Sequence, residues 1–135
     1  ERLSAASGQS GTTKPPATNP VRELRFNKLM EIFRIERDLE LRRLALGNIQ
    51  RFSGWSTRDG MIDSLAQMYD SETDEKFKVS IINSFSSLPK NQQATNKLLN
   101  IAKNDKSDKM RLEAIHALRN NNSPEVIQFL ESLIQ

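Results

Sequence analysis

Cysteine is absent from this chain, and histidine, tryptophan and tyrosine occur once each. Without cysteine there is no disulfide framework, no thiolate metal site and no cysteine nucleophile. The lone imidazole, His116, has no paired carboxylates at ligand spacing, so it makes no zinc site. It lies between Ile115 and Ala117 on a predicted helix, at a position that Gly47 and Asn83 fill elsewhere. That reads as a tolerant, partly exposed place. The five glycines are scattered. They build no phosphate loop, and GxSxG and HExxH are missing too. No carboxylate pair sits in enough apolar sequence to carry a raised pKa. No catalytic residue, metal or cofactor is therefore expected. No apolar run approaches the ~18 residues needed to span a membrane, and mean hydropathy is −0.61. Charge of one sign is scarce as well. Twenty Lys and Arg against 17 Asp and Glu leave +3, interleaved along the chain, whereas a nucleic-acid footprint is usually clustered.

What is there is repetition. The segments 36–49, 72–85 and 105–118 superimpose at offsets of 36 and then 33 residues. Each places an acid six residues before a base: Glu36/Arg42, Glu72/Lys78 and Asp105/Arg111. The same apolar set surrounds each base: Leu41, Ala45, Leu46, Ile49; Phe77, Ile81, Ile82, Phe85; Met110, Ala114, Ile115, Leu118. Self-similarity at this period marks a stack of repeats. A second set follows in register: Ile62, Leu65, Tyr69; Thr95, Leu98, Ala102; Ile127, Leu130, Ile134.

Punctuation residues divide the chain into helices. Residues 1–20 are rich in Ser, Thr, Gly and Pro and read as a flexible tail. A start at Glu1 and such a tail suggest that a further segment lay upstream. Asn19-Pro20 opens a first helix, with Asn as cap and Pro in the first turn. Its apolar residues, from Val21 and Leu24 to Ile35, cover more than one face, so a helix covered on two sides is expected. Three pairs follow: 38–52 with 56–69, 74–88 with 91–104, and 108–120 with 124–134. Gly54 is placed to end one helix in a left-handed cap, and Ser56 with Asp59 resembles a capping box for the next. Pro89 stops a helix, Asn120-Asn121-Asn122 turns the chain, and Ser123 with Pro124 opens the last helix. Nothing reads as strand.

This pattern resembles the short HEAT-like repeat named after phycobilisome lyases, with its motif D-x-[DS]-x-x-[VM]-R. The third repeat fits best, from Asp105-Lys106-Ser107-Asp108-Lys109-Met110-Arg111 into Glu113-Ala114-Ile115-His116-Ala117-Leu118. The second departs by Lys78 for Arg and Ile81 for a small residue, and the first by a longer insertion around Gly54–Thr57. The resemblance implies an all-α fold: a right-handed α-solenoid of about three HEAT-like hairpins plus an N-terminal capping helix. Its units are 21–36 (cap), 37–71, 72–104 and 105–135. Each base then reaches an acidic loop of a neighbouring repeat, a joint worth only ~0–1 kcal/mol where exposed. The apolar faces between repeats carry most of the stability.

Solenoids bind partners along the exposed side of their second helices. The leading expectation is a non-catalytic protein-interaction module. Its candidate contact residues are Trp55, Arg58, Asp63, Gln67, Gln93, Lys97, Asn100 and Phe129, with Glu125, Gln128 and Glu131 beside them. Their mixed charge favours a protein partner over nucleic acid. Phe129 has an equally good reading as an internal residue. Trp55, Arg58 and Asp59 invite comparison with HEAT-like DNA glycosylases, but those have more repeats and a strongly basic groove. Two alternatives remain: a nucleic-acid surface formed by Arg22, Arg25, Arg34, Arg37, Arg42, Arg43, Arg51 and Arg58, and an accessory subunit of an enzyme complex. Compartment, oligomeric state and partner identity are left open.

Overall fold

The computed structural model describes residues 19–135. The tail expected over 1–20 lies outside the described residues except for Asn19 and Pro20. These two open the first helix as expected, and the Asn19 side chain accepts from the Val21 and Arg22 N–H groups. Seven α-helices follow one another: α1 (Pro20–Ile35), α2 (Leu39–Ile49), α3 (Met61–Ser71), α4 (Glu75–Ser86), α5 (Gln92–Asn104), α6 (Asp108–Leu118) and α7 (Pro124–Ser132). The described residues contain no strand, so the fold is all-α.

One local device recurs at three helix starts. The acid that opens each repeat accepts the N–H of the residue two places on: Glu36 from Asp38 (3.3 Å), Glu72 from Asp74 (3.0 Å) and Asp105 from Ser107 (2.9 Å). The acceptor of the next bond is that second residue itself. Asp38, Asp74 and Ser107 cap α2, α4 and α6 by accepting from Leu41, Phe77 and Met110. One orphan N–H of each first turn thus finds a side-chain oxygen. Asn121 repeats the first half of the device before α7, accepting from Ser123 at 3.0 Å. Ser123 stands at the cap position, but its hydroxyl makes no cap bond.

The tertiary pattern has two kinds of contact. Sequential helices pack, most extensively α1 on α2 and α5 on α6, and so do α4 and α5. Helices two apart also touch: α4 meets both α2 and α6, and α5 meets α3. One core runs through all of them, built from residues such as Phe33, Ile49, Leu65, Phe77, Phe85, Leu98, Met110 and Leu118. Eleven of the twelve apolar positions of the first-helix repeat sets are buried or packed against this core. The exception is Leu41, which is 47% exposed where Phe77 and Met110 are fully buried.

Four sequence expectations change. The helix expected over 56–69 begins only at Met61. Gly54 and Gly60 both hold positive φ (73° and 72°), a conformation that glycine adopts without a Cβ penalty. Between them Trp55–Thr57 forms a 3-10 turn, so Ser56 and Asp59 build no capping box. Gly54 likewise does not close α2, which ended at Ile49; it starts that turn instead. The first helix is covered on one side only. Phe26, Met30 and Phe33 are buried, whereas Val21, Leu24 and Ile35 stand exposed, Leu24 at 68%. These two sets lie about half a helical turn apart around the axis. Finally, Ile127 and Ile134 are exposed and Val126 is the buried residue of α7, because no described element packs over that end.

Candidate functional site

Two of the recurring bases, Arg42 and Lys78, sit where units meet. Arg42 on α2 donates from Nη1 to Glu72 Oε1 at 2.6 Å and from Nε to the Phe33 carbonyl at 3.1 Å. Its guanidinium lies 4.2 Å from the centre of the Phe77 ring. Both partners are nearly enclosed, with side chains 12% and 8% exposed. The fork of Arg suits this triple contact, which ties α1, α2, the α3–α4 turn and α4 together.

At the next joint Tyr69 Oη donates to Asp105 Oδ2 at 2.6 Å. Lys78 takes the position of Arg42, its ammonium 4.5 Å from the Tyr69 ring centre. Burial alone would push the Asp105 carboxyl up. The Tyr69 hydroxyl, the Ser107 N–H and the charges of Lys78 and Arg111 outweigh it and hold the group below its ordinary value. Burial, then the bond and charge of Asp105, push the Tyr69 phenol far above its own. Arg111 bonds within its own unit. It folds back onto the Asp105 carbonyl and the Asp108 carboxylate. Arg42–Glu72 and Tyr69–Asp105 thus link neighbouring units, while Arg111 bonds within its own.

The expected contact residues fall on separate surfaces. Asp63 and Gln67 are exposed on α3, and Gln93 and Asn100 on α5. Lys97 is tied to Asp70 at 2.6 Å, which bridges α5 to α3. It shares a small recess with Asn100 and Tyr69. Arg58 is bound inward: it pairs with Glu23 and stacks 3.8 Å over the Phe26 ring. Phe129 packs against the core with the Lys103 ammonium 5.5 Å from its ring centre. The Trp55–Arg58 cluster is split, since Trp55 faces the opposite way, into a cleft between α2 and α4.

That cleft is the feature sequence reasoning missed. It has a volume of about 590 Å³ and is floored by Gly47, Ser80, Asn83, Ser84 and Ser87, with Leu44 and the half-buried Trp55 on its walls. Gln50 Nε2 donates to Ser84 Oγ across its base. A Cβ added to Gly47 would meet nothing within 4 Å. Ser80 and Ser84 on α4 and Ser87 just past its end recur at helical spacing, and that stripe of small polar residues was the available signal.

A second groove, of about 660 Å³, runs between α1 and the end of α2. Here Arg22, Arg25 and Arg51 converge with Lys28. The other arginines of the basic half are elsewhere: Arg42 at its joint, Arg43 on Glu40, and Arg34 and Arg58 around a groove that also holds Glu23 and Asp59. The eight do not form one face. Among the described residues no cluster of three or more His, Asp or Glu could hold a metal ion. No helix among them is long and apolar enough to cross a membrane. Comparison with protein-family models, with curated proteins and with solved structures gave no match.

Proposed function

We propose that this chain is a HEAT-like helical repeat, a right-handed α-solenoid whose surface binds a protein partner without catalysing a reaction. The recurring turn-and-cap device and the contacts between helices two apart support the repeat reading. So does the use of Arg42–Glu72 and Tyr69–Asp105 across unit boundaries. The observation that carries the binding reading is the cleft between α2 and α4. Small side chains leave the space between the two helices unfilled at the surface, and the open floor admits an extended segment. Asn83 is exposed there to pair with a backbone, and Trp55 and Leu44 offer apolar contact. Aromatic side chains in such positions are typical anchors of interfaces.

Gly47→Phe places a bulky ring at this cleft from a position where an added Cβ meets no atom within 4 Å. Selection of a displayed protein-fragment library on the immobilised chain should retain fragments that the Gly47→Phe variant binds at least tenfold more weakly, with an unchanged circular-dichroism spectrum. Retention of no fragment, or retention unaffected by the substitution, would remove the cleft as the carrier of this reading.

A further inference from the structure

We infer that the groove between α1 and the end of α2 docks an acidic, amphipathic peptide segment of a partner protein, which rests on the binding-module reading above and gives it a partner chemistry. Four cations line this groove, Arg22, Arg25, Lys28 and Arg51, and no acidic side chain does. Lys28 is shared with Glu31 at 3.2 Å. Arg22, Arg25 and Arg51 have no ion-pair partner among the described residues. Four other recesses of the surface each carry at least one carboxylate in their lining, among them Glu40, Asp74, Glu23 and Asp70.

The groove also has an apolar floor. Val21 is 57% exposed, and Leu29 and Phe52 are half-buried beside it. Phe52 is fixed from two sides: the Phe26 ring meets it edge-on at 5.2 Å, and the Arg22 guanidinium lies 5.0 Å over its face. The stacking sets one cation in place before any partner arrives, which lowers the ordering cost of binding. Cations around an apolar floor complement carboxylates alternating with Leu or Phe side chains on one helix face. A phosphate backbone would use the cations and leave Val21, Leu29 and Phe52 without a partner. A single groove of this volume also offers no track of cations along which successive phosphates could run.

The test is selection of a random 12-residue peptide display library on the wild-type chain and on two charge-reversed variants. R22E/R25E reverses the groove, and R34E/R37E makes the same change of net charge outside it. The expected result is enrichment of peptides combining Asp or Glu with Leu, Ile or Phe. Their affinity should fall at least tenfold in R22E/R25E, stay within about twofold in R34E/R37E, and weaken with added salt. Equal retention by R22E/R25E overturns the groove assignment and leaves the module reading standing. Enrichment of peptides without acids does the same. Enrichment of nothing here, together with no fragment retained in the cleft experiment, removes both. Displacement of the selected peptide by a 12-nucleotide single strand at equal concentration, with steeper salt dependence, overturns the peptide in favour of nucleic acid.

Discussion

Arg42 and Arg111 hold equivalent repeat positions in unequal surroundings. Arg42 is nearly enclosed and bonded to Glu72 and the Phe33 carbonyl, so its removal strands a buried carboxylate. Arg111 is more open and bonds only within its own unit. Arg42→Ala should therefore cost about 3 kcal/mol, and Arg111→Ala less than about 1 kcal/mol. Urea unfolding of both variants checks this, and a reversed order would contradict the joint geometry. Tyr69 and Asp105 give the same joint a pH signature. Asp105 has a folded-state pKa below its ordinary 3.8, so its contribution is complete above that value and is lost as pH falls below it. Tyr69 is raised above its ordinary 10.0, so its contribution is complete below pH 10 and is lost as pH rises beyond it. Asp105→Asn should flatten the acid limb of a melting-temperature profile, and Tyr69→Phe the alkaline limb. That Arg42 reaches an acid of the next unit was legible in the sequence, because acid, base and apolar set recur together; Arg111, in the equivalent position, stays within its own unit. Tyr69 as the partner of Asp105 was not legible, since only packing brings a second-helix residue to the next unit's turn.

Two glycines illustrate what each helix requires of its backbone. Gly47 lies inside α2 with open space at its missing Cβ, so Gly47→Ala should stabilise by about 0.5–1 kcal/mol. Gly60 starts α3 from a positive φ of 72°, where a side chain is strained although nothing obstructs it. Gly60→Ala should destabilise by about 1 kcal/mol. Thermal melts that moved both variants the same way would refute this contrast. Helices α2, α4, α5, α6 and α7 were readable to within a few residues, because Asp38, Asp74, Asn91, Ser107 and Pro124 mark their starts. The start of α3 was not, since the Ser56/Asp59 spacing suits a cap only where the backbone is free of two left-handed glycines. Asn121 was legible as a turn residue only. Its amide also donates to Thr95 Oγ1 at 3.0 Å and to the Pro89 carbonyl, and this buried link depends on a residue 26 positions away.

Across the molecule, burial is concentrated at the centre. Helices α4 and α5 contribute five and six buried residues, and α7 contributes one. In a stack where each unit is held by its neighbours, stability grades with the number of neighbours. Amide hydrogen exchange should be slowest in α4 and α5 and fastest in α7 and the first turn of α1. Uniform protection would mean that the chain opens only as a whole. The repeat period made the central core legible, since the same offsets that align Ala45, Ile81 and Ala114 bring them all inside. The ends escaped it, because Leu24 and Ile127 are apolar and stand exposed, with no covering neighbour among the described residues. The two grooves escaped it too, as they arise where helices from different units fail to fill the space between them. The Arg42–Glu72 contact also sets an order in time. Its members are 30 residues apart, so on a ribosome adding about 5–20 residues per second the arginine emerges roughly 1.5–6 s before its carboxylate. Throughout that interval the nascent first unit carries an unneutralised guanidinium beside its own core, and its locking into place waits for translation of the second.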